Sequence, residues 1–289
     1  MHSIPQYDTL VVSVENAGQL ASVSLNRPER YNAVNFQMIQ DLNNLFDWLG
    51  NMSFSKEDPW SKDAVSRPRV VRLLSSSKGH SAGADTFFCS GVDIKDADAD
   101  SQWDFGGLHS QTLMSGLVEK MRALPQVIVC LVEGPAVGLG LALALGADIR
   151  IGLAKRASFA IGFTKLGLSG ADMGVSFLLP RIVGYSKAAE LMLVGDAISA
   201  EEAKSCGLLT YLESSRDDLI ERGNIVVHKL MSTSPWGLYL TKKQISASMD
   251  GATLKSSILA ENAIQTYLLS RPEVMKIARE KLKKMSAKL

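Results

Sequence analysis

Residues 134–148 read GPAVGLGLALALGAD, a glycine-rich turn feeding an apolar helix with no side chain able to move a proton before Asp148. Whatever chemistry such a segment offers belongs to its backbone. The first N–H groups of a helix have no intrahelical acceptor and sit at the positive end of its dipole, and glycine lets other atoms approach them closely. Close packing of two backbones accounts for the same glycines. A group that moves protons must come from elsewhere. Asp172, within Gly167-Leu-Ser-Gly-Ala-Asp-Met-Gly174, is an acid among leucine, glycine and methionine. It also precedes the apolar run VSFLLP, so a helix N-cap competes with a catalytic role. His109 opens a helical pattern, where a structural role competes in the same way. Asp93 reads as a turn or cap residue, and Ser90 and Cys89 lack any motif that would activate a nucleophile.

Several classes of function are set aside by composition. The chain has 289 residues, 46% apolar and 21% charged, which describes an ordinary globular protein with a sizeable core. Thirty-one basic residues against 30 acidic give a net charge of +1, so no global field points to nucleic acid or an anionic membrane. Aromatic-basic clusters of the kind that bind RNA are missing as well. Cys89, Cys130 and Cys206 are far apart and share no metal-ligand spacing with the four histidines, so neither a metal site nor a disulfide framework is expected. The apolar stretch from Val127 to Leu153 is broken by Glu133, Pro135 and Asp148, too short a run for the ~20 residues of a membrane span. The N-terminal residues MHSIPQYDTL show no signal-peptide pattern. Ala287-Lys288-Leu289 is a close variant of the Ser-Lys-Leu address, which makes a peroxisome or peroxisome-like organelle the expected location, with cytoplasm or mitochondrion as alternatives.

The elements that must position these residues follow from periodicity. Leu10–Val14 and Ala21–Leu25 alternate around Asn16-Ala17-Gly18 as a β-hairpin, and a helix follows from Phe36. The polar, proline-containing segment 51–68 reads as a surface insertion. Val70–Leu74 is a strand, 75–86 a serine- and glycine-rich loop, and His109–Leu124 a helix. Val127–Val132 is a buried strand leading into the glycine turn, and Ile149–Ile151 and Ala157–Ile161 are further short strands. Ser199-Ala-Glu-Glu202 is a capping box. Helical patterns then run from Asp217 to Met231 and from about Ala252 to the end. Strand–helix alternation therefore gives way to helix near residue 190.

Five segments, in order and spacing, resemble the enoyl-CoA hydratase/isomerase (crotonase) family. They are LNRPERYNAV at 25–34, FCSGVDI at 88–94, EGPAVGLG at 133–140, DIRI at 148–151, and PRIVG at 180–184 followed by AAEL. The resemblance implies an α/β fold, a crotonase-like ββα superhelical core over residues 1–200. A C-terminal helical trimerisation region over 201–289 completes it, in a homotrimer or hexamer. It also implies an acyl-CoA substrate and no cofactor beyond the coenzyme A thioester itself.

By alignment to the family, the amides of Val92 and Leu139 are the two oxyanion donors to the thioester carbonyl, and Leu139 stands where glycine is usual, so its side chain is expected to narrow the acyl pocket. Backbone around Ser90, Asp93, Ile94 and Lys95 is expected to hold the adenine and pantetheine, and Arg30 or Arg27 the phosphates. Family hydratases carry two carboxylates, but the matching positions here are Ala142 and Phe163, which would line the acyl pocket instead. Asp172, in the glycine-rich loop over the active site, is the remaining acid. The expected activity is enoyl-CoA isomerase or hydratase chemistry of fatty acid β-oxidation through a stabilised enolate. The alternative is a non-catalytic acyl-CoA-binding or scaffold protein that lost its carboxylates.

Overall fold

The computed structural model describes residues 4–51, 67–76, 86–99 and 107–286. Most of the 51–68 insertion, most of the loop 75–86 and the Ala287-Lys288-Leu289 tail lie outside these residues. The main sheet takes strands in the order β1 (Leu10–Glu15), β2 (Leu20–Leu25), β3 (Val70–Ser75), β4 (Val127–Val132), β6 (Ile149–Leu153) and β9 (Tyr211–Glu213). The hairpin of β1 and β2 is antiparallel, and every other pairing is parallel. A second sheet joins β5 (Ala136–Val137), β7 (Ser158–Ala160) and β8 (Ile198–Ser199). Isolated bridges carry that sheet back towards the N-terminus, Cys89 pairing with Ala136 and Val34 with Val92.

The repeat is thereby visible in three dimensions. From four of the main-sheet strands, β2, β3, β4 and β6, the chain passes through a short extended stretch beside or within the second sheet and on into a helix. Thus β2 leads through Val34 to α1 (Phe36–Asn51), and β3 leads through Cys89–Val92 to α2 (Ile94–Ala99) and α3 (Leu108–Ala123). Likewise β4 leads through β5 to α4 (Leu139–Gly146), and β6 leads through β7 to α5 (Val175–Val183). This is the expected ββα superhelix. At its centre α4 is buried along its whole length; with no polar face it can exist only where protein surrounds it.

Both faces of the main sheet are covered, which is why β4 reads as an unbroken apolar run. One face meets α1, α3 and α4. The other meets α8 (Arg216–Met231), whose Leu219, Val226 and Val227 pack on Val129, Leu131 and Ile151. Gly223 brings α8 close, since a Cβ there would lie 3.1 Å from Leu131. Because β9 and α8 both follow residue 200, the core's packing continues past the expected division at that position. The capping box forms as expected at the start of α7 (Ala200–Ser205), with reciprocal bonds between Ser199 and Glu202.

The helical C-terminal region is more segmented than periodicity suggests. A helix not anticipated from the pattern, α9 (Pro235–Met249), opens with Ser234 accepting the Gly237 N–H and proline in the first turn. The pattern expected to run from Ala252 to the end is two helices, α10 (Leu254–Leu269) and α11 (Pro272–Ser286). Pro272 breaks it because proline lacks the N–H that would continue α10. Among the described residues, no helix is long and apolar enough to cross a membrane.

A buried lysine ties α9 to the core. The Lys242 ammonium donates to the carbonyls of Met121 and Gln126 at 3.2 and 2.8 Å and lies 2.9 Å from the Asp148 carboxylate. Asp148 also meets Arg122 at 3.0 Å and accepts the Ile128 N–H at 2.8 Å. Burial pushes the Lys242 pKa down, and the neighbouring Asp148 charge opposes that shift.

Candidate active site

The candidate site forms where the second sheet passes beneath the start of α4. Cys89 donates its N–H to the Pro135 carbonyl and accepts from the Val137 N–H, at 3.1 and 2.9 Å. Ser90 donates to Tyr31, Val34 donates to Gly91, and Asp93 donates to Val34. Among the described backbone bonds, the amides of Gly91 and Val92 alone in the 89–93 run find no acceptor. On the other strand, Gly138 donates to Ala160 at 3.0 Å, and Ala142 begins the helical ladder by donating to Gly138. The intervening amides, beginning with Leu139, are the undonated first turn of α4.

Glycine makes this meeting possible. A Cβ on Gly140 would lie 2.3 Å from the Cys89 carbonyl oxygen, and one on Gly91 would lie 3.1 Å from the Val137 oxygen. Gly138 adopts φ 55°, ψ −116°, a backbone conformation that side chains exclude. Its own missing Cβ leaves room for the Phe163 ring, which would otherwise be 3.1 Å away.

Val92 and Gly138 line a common cavity of about 270 Å³. Its walls are mainly apolar and include Ile94, Met114, Ile161, Phe163 and Met173. Asp172 is the one ionisable side chain among the described lining residues, and Ser90 and Gln111 add neutral polar groups. Asp172 is half-buried, and its Oδ1 accepts the Met173 N–H at 2.7 Å. It is not the N-cap of α5: Gly174 occupies that position, and no side chain caps the helix.

The other expected site residues fall into distinct places. The Leu139 side chain is fully buried in the core and does not line the cavity, so it does not narrow that space. Ala142 is likewise behind the wall, 1% exposed, whereas Phe163 is in it. Asp93 is buried in an ion pair with Arg27 at 3.0 Å, and its other oxygen accepts the Asp96 N–H at 3.3 Å, closing the first turn of α2. The cap reading of Asp93 fits this geometry. Arg27 is consumed by the same cluster, donating to Ala33 and Asp96 as well as Asp93. Arg30 remains half exposed, 3.6 Å from Asp96, and Lys95 is exposed on α2. His109 is exposed and does not line the cavity; α3 presents Gln111 and Met114 there instead. Glu133 pairs with Arg216 of α8 at 2.9 Å and is not part of the lining. Burial pushes the Cys89 thiol up to about 12, so it stays protonated and cannot serve as a nucleophile near neutral pH.

Gln111 and Met114 of α3 are among the lining residues that sequence reasoning did not single out; they are three residues apart, so they share one side of the helix.

The enoyl-CoA hydratase/isomerase family profile matches residues 81–285. A probable enoyl-CoA hydratase of Mycobacterium tuberculosis is 31% identical over 260 residues, 90% of this chain and 85% of the relative. The 1,2-epoxyphenylacetyl-CoA isomerase of Escherichia coli is 31% identical over 229 residues, 78% of each chain. The crystal structure of a probable enoyl-CoA hydratase/isomerase from Mycobacterium abscessus superposes with a TM-score of 0.78 at 28% identity, covering 96% of this chain and 97% of that one. The fold is shared also with an enoyl-CoA hydratase from Bacillus anthracis, at TM-score 0.81 and 23% identity, covering 96% and 97% of the two chains. The α/β spiral is thus the crotonase fold, and the chain belongs to the enoyl-CoA hydratase/isomerase family.

Replacing Gly140 by alanine tests the close approach beneath the site. The added methyl meets a backbone carbonyl, which cannot rotate away, so the turn and the 89–91 strand must separate. Gly140→Ala is expected to lower unfolding free energy by about 1–3 kcal/mol and to weaken coenzyme A thioester binding. Denaturant unfolding and calorimetric titration read both, and an unchanged pair of values would contradict the packing described.

Proposed function

We propose that this protein is an acyl-CoA enzyme that stabilises a thioester enolate and moves a proton between carbons of the acyl chain. The observation carrying this reading is that one mainly apolar cavity is lined by Val92, whose amide has no backbone acceptor, by Gly138, which precedes Leu139 at the start of α4, and, among the described lining residues, by a single carboxylate, Asp172. The N–H groups of Val92 and Leu139 bind the thioester carbonyl oxygen. As the α-proton leaves, negative charge accumulates on that oxygen, and the two fixed dipoles stabilise it without reorganising. One such donor typically contributes ~2.7–4 kcal/mol to the transition state.

Asp172 takes the proton from one carbon and returns it to another. Double-bond isomerisation needs only that one group, whereas hydration must also activate a water molecule. A single carboxylate therefore favours an enoyl-CoA isomerase over a hydratase, chemistry that fatty acyl-CoA breakdown by β-oxidation requires. Coenzyme A lies along Ser90, Ile94 and Lys95, with Arg30 at the phosphates; Arg27 is excluded from that task by its buried pairing.

A homotrimer completes the molecule. Its support is the apolar surface on α10, where Leu254, Leu259 and Leu269 are 78%, 61% and 58% exposed. Such large exposed apolar side chains on one helix suit an interaction face. Light scattering is expected to give three times the 31.3 kDa chain mass, or six times it for paired trimers, and a monomer would contradict this assembly.

Turnover is tested by incubating the protein with crotonyl-CoA, a 3-enoyl-CoA and a dienoyl-CoA while following thioester absorbance. Asp172→Asn, which keeps the shape and removes the base, is expected to lower kcat by about 10²–10⁴-fold on the active substrate while preserving binding. Tight binding by the wild type with no turnover of any substrate would instead identify a non-catalytic acyl-CoA-binding protein.

A further inference from the structure

A second cavity, of about 510 Å³, lies beside the candidate site. Its floor is the part of α3 bearing Ser115, Val118 and Arg122, and its other walls come from the start of α5 and the end of α9, including Phe177, Leu178 and Met249. The first cavity touches α3 one turn earlier, at Gln111 and Met114. Residues 111, 114, 115, 118 and 122 form one stripe of a helix, so the two cavities lie end to end along a single face of α3.

Met173 is the partition between them, since it lines both cavities and is itself only 4% exposed. The backbone around it is built to cross α3 at this point. Met173 and Gly174 are both left-handed, with φ of 48° and 77°, and a Cβ on Gly174 would lie 3.8 Å from Val118. The outer wall of the second cavity is held by Arg181, whose guanidinium stacks 3.6 Å above the Phe177 ring and donates to the Met249 carbonyl. Its charged lining residues are Arg122, paired with Asp148 and bonded to Ser246, and the exposed Glu119 and Asp250. Val118, Phe177, Leu178 and Met249 give the cavity an apolar wall next to Met173.

We infer that Met173 sets the acyl-chain length of the substrate: a short acyl group ends against it in the first cavity, and the distal carbons of a longer one enter the second cavity only when its side chain is displaced. Methionine suits such a position because it is unbranched and adaptable. The inference rests on the acyl-CoA reading of the first cavity. It is distinct from it, because thioester recognition does not require the second cavity.

The test measures dissociation constants of saturated acyl-CoAs from butyryl to palmitoyl by calorimetric titration, comparing the affinity ratio of dodecanoyl- to butyryl-CoA between variants. Each further buried methylene strengthens binding by about fourfold. Met173→Ala is therefore expected to raise that ratio at least tenfold. Adding Met249→Trp, a partly exposed position that fills the second cavity from α9, is expected to return the ratio towards the wild-type value. Circular dichroism and the melting transition confirm that each variant is folded; should Met173→Ala fail, Met173→Val provides the smaller side chain. A ratio that Met173→Ala leaves within twofold of wild type, or that Met249→Trp does not reduce, overturns the partition while leaving the acyl-CoA reading intact. Absence of binding by any acyl-CoA to the wild type overturns both.

Discussion

The structure depends on the approach of two backbones, the Cys89–Gly91 strand and the Gly138–Gly140 turn, to distances that no side chain permits. Gly140 is against the Cys89 carbonyl and Gly91 against that of Val137. This contact fixes where the second sheet meets the start of α4, and it brings Val92 and Gly138 to one cavity. The undonated N–H groups cost stability wherever they face neither water nor a ligand.

Much of the surrounding architecture holds those segments still. Arg27 reaches across to Asp93 and Asp96, tying the N-terminal turn to the chain just after Val92 and to the start of α2. Asn32, left-handed at φ 53°, donates to the carbonyls of Ser76 and Phe87, binding the N-terminal turn to the strand that leads into the site. Lys242 fastens α9 to the base of β4 and α3. Removing one member of such a buried charge cluster is costly, because its partner is then left uncompensated. The cavity walls are accordingly supported from several directions.

Elements with a strong local signature were legible in the sequence. The hairpin, the all-apolar β4 and the capping box at Ser199 each follow from residues within one element, and the structure contains all three. The glycine turn declared a close backbone approach in the same way. What was not legible depended on pairs distant in sequence. Arg27 looked available for a phosphate because Asp93, 66 residues away, is its partner only in the fold. The direction of the Leu139 side chain, into the core rather than the cavity, is set by packing around α4 that no local pattern specifies. By contrast, Ser234-Pro235 and Pro272 were readable start signals that weak helical periodicity in the C-terminal region obscured.

Where the thioester oxygen binds decides the account most directly. A crystal structure with a saturated acyl-CoA bound is expected to place that oxygen within about 2.7–3.1 Å of the backbone nitrogens of both Val92 and Leu139, with the acyl chain running towards Met173. A carbonyl held by other groups, or an acyl chain lodged outside this cavity, would contradict it.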